Sequence, residues 1–183
     1  EDPVTARLDI KTGILDPTGF NRTETVQKKE EVYGGFDAQL VVDGSGSMTE
    51  SLGGKVKYKE QQKMVYLFLR ALHYFSQEAE KRKLRLITPL KVRSGAVLFQ
   101  GNKVEVVKPL SEDFTLVQMA LLWKRLQENI GGGTPDHLGL QTVLDAIPPE
   151  EVQLLKEKRL LKIVNLGRDG GSDDPNKVKV LTQ

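Results

Sequence analysis

The chain has 183 residues, 38% hydrophobic and 28% charged, enough for one well-buried domain with an appendage and short of two full domains. Its 27 basic and 25 acidic residues leave a net charge of +2 with the cations scattered among glutamates, which argues against a dedicated binder of nucleic acid or polyanions. With no cysteine and two histidines, disulfides and thiolate sites are excluded and an imidazole-rich metal site is disfavoured, so any metal is expected to be hard and oxygen-bound.

Residues 1–35 stand apart as an N-terminal extension or linker: they carry Gly13, Pro17, Gly19 and the run KKEE, with few large apolar side chains. Within them Val4, Ala6, Leu8 and Ile10 alternate with the period of a strand and offer a possible edge strand. Residues 36–183 read as the domain proper. FDAQLVV, between Gly34-Gly35 and Gly44, is a short β-branched run and reads as a buried strand. A long helix follows, with Met64, Phe68, Ala71, Leu72, Phe75 and Ala79 at helical spacing as its core face and EAEKRK in its last turns.

Strands are expected at Lys91–Phe99 and Lys103–Val107, joined by the turn-like QGN. A second amphipathic helix within Asp113–Ile130 places Leu116, Met119, Ala120, Trp123 and Leu126 on one face. After GGG, Thr134 followed by Pro135 has the form of an N-cap and a first helical proline. The helix behind it is expected to bury Leu140, Val143, Leu144 and Ile147. Pro148-Pro149 ends it and opens another helix through about Lys158. LLKIVNL then reads as one more buried strand, GRDGGSDD as a polar loop and PNKVKVLTQ as the start of a further helix. This order fits an α/β fold: a mainly parallel central sheet with one antiparallel strand and helices on both faces.

In such sheets ligands collect beyond the carboxyl ends of the strands. There the sequence puts Asp43, Ser45 and Ser47, with glycines at 44 and 46 that free the backbone to turn their oxygens toward one point. Thr134 adds a hydroxyl and Asp169 a second carboxylate, a donor set suited to a hard divalent ion such as magnesium.

DGSGSM, GGGTPD and RDGGSDD, in that order, resemble the three loops of the metal-ion-dependent adhesion site (MIDAS) of von Willebrand factor A (vWA) domains. The resemblance covers roughly residues 36–183, and departs from the family at Arg168 and in stopping before the family's last strands and C-terminal helix. It implies a Rossmann-like vWA fold, with the C-terminal part incomplete. It also implies Mg2+, or Mn2+ or Ca2+, held by Asp43, Ser45, Ser47, Thr134 and Asp169, and a protein partner that supplies an Asp or Glu carboxylate. The implied activity is metal-dependent protein–protein interaction without catalysis. An alternative within the family is a subunit of an AAA+ ATPase or metal-chelatase-like assembly.

A competing class is a serine hydrolase with Ser45 or Ser47 as nucleophile and His137 as base, although no G-x-S-x-G elbow is spelled. An aspartyl phosphotransferase would need a second carboxylate where Ser45 stands, and GGGT lacks the lysine of a P-loop. No apolar stretch approaches the roughly 18 residues of a membrane span. EDPVTARLDI has neither the basic nor the apolar region of a signal peptide. The expectation is therefore a soluble, cytoplasmic chain with no nucleic-acid or membrane partner.

Overall fold

The structure, a computed structural model, describes residues 7–8, 15–16, 34–81, 90–128 and 130–182. The chain divides into two compact units, Glu1–Glu31 and Val32–Gln183. In the first, strands β1 (Arg7–Leu8) and β2 (Leu15–Asp16) pair antiparallel, Leu8 opposite Leu15. Val4, Ala6 and Ile10 of the expected edge strand lie outside the described residues.

The second unit is built on β3 (Gly35–Asp43), whose run of β-branched and apolar residues is buried on both sides, as the central strand of a parallel arrangement must be. A 3-10 turn (Gly46–Thr49) follows it. Next comes a small hairpin, β4 (Ser51–Leu52) and β5 (Lys55–Val56). The hairpin closes through Gly53 and Gly54, both at positive φ (59° and 77°), the backbone that a two-residue type I′ turn demands. Helix α1 (Lys57–Lys81) leads to β6 (Lys91–Gln100) and the antiparallel β7 (Lys103–Ser111). Then come α2 (Leu116–Arg125), α3 (Asp136–Asp145), α4 (Pro149–Lys156), β8 (Leu160–Gly167) and α5 (Pro175–Leu181).

The sheet runs β7-β6-β3-β8, with β6 and β8 parallel to β3. Alternation along β3 sends Leu40 and Val42 to one face, where they pack with Val65 and Leu69 of α1 and with Leu122 and Leu126 of α2. Val41 faces the other way, against Phe99, Leu140 and Val143, with Val178 and Leu181 of α5 alongside. Gly139 lets α3 approach: a Cβ there would lie 2.6 Å from Val41 Cγ1. Among the described residues no helix is long and apolar enough to cross a membrane.

Several local expectations need correction. The core stripe of α1 is Gln62, Val65 and Leu69, whereas Met64, Phe68 and Phe75, expected inside, are 54%, 38% and 49% exposed. In helix α2 Leu126 is buried and Met119 packs against the core as expected, but Leu122 joins them while Leu116 and Trp123 are exposed. Its start is fixed by a capping box in which Thr115 accepts from the Gln118 amide and Gln118 accepts from the Thr115 amide in return. Thr134 is not the cap of α3; Pro135 holds that position and no side chain caps it.

Candidate functional site

At the carboxyl end of β3 the loops are first held together by backbone. The Gly44 amide donates to Phe99 O (2.8 Å), that of Gly131 to Gly44 O (2.8 Å) and that of Gly46 to Gly132 O (3.0 Å). The GGG run is read by contact: Gly132 sits at φ +82° against Gly101 of the QGN turn, and a Cβ there would fall 2.4 Å from Gly101 Cα. The loop after β8 joins through the Asp173 amide, which donates to Thr134 O (3.1 Å).

Four of the five candidate residues are strung on one chain of hydrogen bonds. Asp43, buried, accepts from the Ser45 amide at Oδ1 (2.7 Å). Ser45 Oγ lies 3.0 Å from Ser47 Oγ, and Ser47 Oγ donates to Asp169 Oδ1 (2.8 Å). Thr134 stands in the adjoining loop, but among the described residues no hydrogen bond joins its side chain to the other four. Asp43 Oδ2 is buried without a hydrogen-bond partner, and Gln61 donates to the Asp43 backbone carbonyl (2.6 Å).

Sequence reasoning missed the cation of this site. Lys57, the first residue of α1, donates from Nζ to Asp169 Oδ2 (2.8 Å) and to Glu50 Oε2 (2.9 Å). Burial pushes the Asp169 carboxyl up, but the bonds from Lys57 and Ser47 outweigh it and hold the group below its usual range. The same bonds, to Asp169 and then Glu50, raise Lys57 above the ordinary lysine value. A signal was there: a lysine at a helix N-terminus opposes the helix dipole and calls for a carboxylate nearby.

Arg168 neither faces Asp169 nor turns outward. Its guanidinium donates to Asp136 Oδ2 (2.7 Å), and the same carboxylate accepts from Ser172 Oγ and from the His137 amide (2.9 Å). Asp136 is fully buried, so the loop after β8 is pinned to the start of α3 by an ion pair with a dry acidic partner. His137, expected as a possible base, turns to a crevice of about 480 Å3 between α3 and α5. Its Nδ1 is buried and unpartnered. No hydrogen bond among the described residues links it to Ser45 or Ser47, so the nucleophile–base pair of the hydrolase reading is not formed.

Among the described residues no group of three or more His, Cys, Asp or Glu could hold a metal ion. The accessible carboxylate, Asp169, is already neutralised by an ammonium of the same chain. As the residues stand, Asp43, Ser45, Ser47 and Asp169 are engaged in a hydrogen-bonded network closed by Lys57, and the adhesion-site and metal-binding description is corrected to that network.

No protein-family profile matches the chain, and no curated protein sequence is similar to it. Among the solved structures similar to it are the following three. One is of the three N-terminal domains of the type V pili tip protein Mfa5 from Porphyromonas gingivalis, at 15% identity and TM-score 0.45, over 72% of this chain and 19% of that one. A second is a D319A mutant of the PilB minor pilin from Streptococcus sanguinis, at 20% identity and TM-score 0.49, over 86% of this chain and 33% of that one. The third is an uncharacterised membrane-spanning protein from Vibrio fischeri, at 19% identity and TM-score 0.36, over 71% and 69%. The chain thus spans about a fifth of the solved three-domain tip-protein chain and a third of the solved minor-pilin chain.

No family profile or curated relative supports the von Willebrand factor A family expected from the three loops, and that expectation is withdrawn. Two of these three bear pilus names and the third does not. With that expectation go the Rossmann-like vWA fold, the metal-dependent capture of an acidic side chain and the AAA+ or chelatase alternative. The fold is described by its own topology, a mixed sheet of four strands, one of them antiparallel, with five α-helices among the described residues.

Proposed function

We propose that the Val32–Gln183 unit is a non-catalytic recognition domain, a structural or adhesive part of a larger assembly, with the loop rim at the carboxyl ends of β3 and β8 as its contact surface. One observation supports this above the others: the rim's hydroxyls and carboxylates are bonded to one another and to Lys57. A serine whose hydrogen points at an ionised carboxylate fixed by a lysine has no base to activate it, but it gives a rigid, ordered surface. Beside it the β4–β5 hairpin holds Leu52 out at 75% exposure, an apolar anchor at a polar rim. The pilus names of the similar structures agree with such a role, and at TM-scores below 0.5 they do not carry it.

The test is selection of a displayed random-peptide library on the immobilised chain, with Leu52→Asp and Asp169→Asn as counter-targets. Binders that both variants lose are expected. Equal enrichment on wild type and variants, or labelling of Ser45 or Ser47 by a fluorophosphonate probe, overturns the reading. A thermal shift by millimolar Mg2+ that Asp43→Ala abolishes would overturn the closed network. A cytoplasmic location is a separate proposal, read by fractionating cells that make the whole protein.

A further inference from the structure

We propose that the outer face of helices α1 and α2, centred on Arg70, docks an amphipathic helix of a partner protein that brings a carboxylate to the arginine. Tyr66, Arg70 and Tyr74 follow one another at four-residue spacing and so stand in one row along α1. Arg70 Nη1 donates to the Tyr66 hydroxyl (2.8 Å) and Nη2 to that of Tyr74 (3.1 Å). The guanidinium also lies over both rings, 5.9 and 5.3 Å from their centres. From α2, Met119 Sδ accepts from Nη1 (3.8 Å) and Trp123 meets the Tyr66 ring edge-on at 5.8 Å.

The guanidinium is thus held in place, but only by neutral groups. Among the described residues no carboxylate pairs with it, and its Nε–H and one Nη2–H have no acceptor. Lys63, Lys124 and Arg125 of the same two helices each have a glutamate of their own. A fixed guanidinium with spare donors is what a carboxylate takes two at a time. The bonds to Tyr74 and Tyr66 hold Arg70 above the ordinary arginine value, so its charge is permanent.

Around this charge the face is apolar. Leu116 is 79% exposed, Leu67 63%, Tyr74 52% and Trp123 38%, and an arginine set among tyrosine and tryptophan is the composition of an interface hot spot. Both walls are helices whose backbone groups are spent internally, so no ladder is open to an extended strand and the occupant is read by its side chains. The occupant must be acidic. Residues 82–89, RKLRLITP, which follow α1, contain no carboxylate, and α5 packs with α3 on the other face of the sheet.

Arg70 stands about 20 Å along α1 from Lys57, so this surface stands or falls apart from the rim. The probe is a displayed library of four-turn helices with leucines on one face and randomised flanking positions, selected on the immobilised chain. An enriched sequence is then synthesised with a fluorescein label. Asp or Glu fixed at one flanking position is expected, with saturable binding by anisotropy and a shift in emission of Trp123, the chain's one tryptophan. A loss of roughly tenfold or more is expected when that acid is changed to its amide, and with Arg70→Gln. Arg70→Lys keeps the charge and drops the fork, so it should not restore binding. Leu116→Asp, at a far more exposed position, should also lose it, and circular dichroism checks that each variant folds. Asp169→Asn should bind as wild type does. Enriched helices without a fixed acid, or equal binding by Arg70→Gln, overturn the proposal. Hydrogen-exchange protection of residues 116–123 in the free chain that Arg70→Gln releases overturns it in favour of a segment of the chain itself. A concentration-dependent dimer that Arg70→Gln abolishes overturns it in favour of a second copy.

Discussion

Replacing Arg168 by Met tests whether the loop after β8 depends on its ion pair. Asp136 has no exposed surface, while the Arg168 side chain is 35% exposed. The two partners should therefore respond unequally. Removing the guanidinium leaves a dry carboxylate with only Ser172 Oγ and the His137 amide as donors. Breaking a buried pair from one side typically costs about 3–5 kcal/mol, and the partial exposure of Arg168 puts the expected loss near the lower end, about 3 kcal/mol. For a chain of this size each kcal/mol lowers the melting temperature by roughly 2–4 °C, so Arg168→Met should melt about 6–12 °C below wild type. Asp136→Asn removes the buried charge and lets Arg168 turn to water; it should cost less, about 1–2 kcal/mol. In the double variant the neutral amide that replaces the Asp136 carboxylate no longer needs a cation, so the two losses should fall short of adding. Denaturant titrations of the four proteins give the cycle. If Arg168→Met lies within about 0.5 kcal/mol of wild type, or if the losses simply add, the ion pair does not hold the loop.

The remaining predictions concern other ionisable groups and one glycine. Burial pushes Lys108 down to about 8, although Ser94 O, Ser111 O and Ser111 Oγ accept from it. The unfolded chain then holds the proton more tightly than the folded one, so stability should rise as pH passes from about 8 toward the ordinary lysine value of about 10.4, by up to roughly 3 kcal/mol. Urea titrations across that window should show the rise in wild type and lose it in Lys108→Met; a flat profile in both refutes it. Asp169 is held below its usual range, so its contribution is present above the unfolded carboxylate value and lost as pH falls through the folded one. In Lys57→Met a carboxyl-resolved NMR titration should find Asp169 titrating higher, and an unchanged midpoint would sever the link. Gly132→Ala, which meets the Gly101 backbone, should cost more than about 2 kcal/mol. Gly131→Ala has open space around it and should stay within about 0.5 kcal/mol of wild type. Equal melting of the two refutes the packing account.

The parts of this fold that sequence reveals are those written in local pattern. The β-branched run of β3 between glycines, the proline that starts α4, and the oxygens clustered just past a strand are short-range signals, and Asp43, Ser45, Ser47 and Asp169 do meet. Facing is harder. From Met64 to Phe75 helix α1 is apolar almost all round, so periodicity alone admits more than one core stripe, and tertiary packing chose Val65 and Leu69. The ion pairs were hidden because each joins residues far apart in the chain: Lys57 with Asp169, Arg168 with Asp136. The adhesion-site likeness misled by the same route, since three loops spelled a ligand set while the lysine that neutralises its accessible carboxylate lay outside them.

The rim's form rests on backbone more than on the side chains that drew attention to it. Gly44 reaches Phe99, Gly131 reaches Gly44 and Gly46 reaches Gly132, all through main-chain bonds, and beneath them Val41 and Phe99 lie in the same buried cluster. Substituting Ser47, which is only half-buried, deletes a hydroxyl and leaves that lattice standing, so such a variant reports on surface chemistry. Substituting Gly132 shifts the lattice itself and reports on shape. Loss of a binding partner in Ser47→Ala with its fold intact would therefore locate recognition in the hydroxyl–carboxylate chain. Loss only in Gly132→Ala would locate it in the contour of the loops, with Leu52 as the contact to examine next.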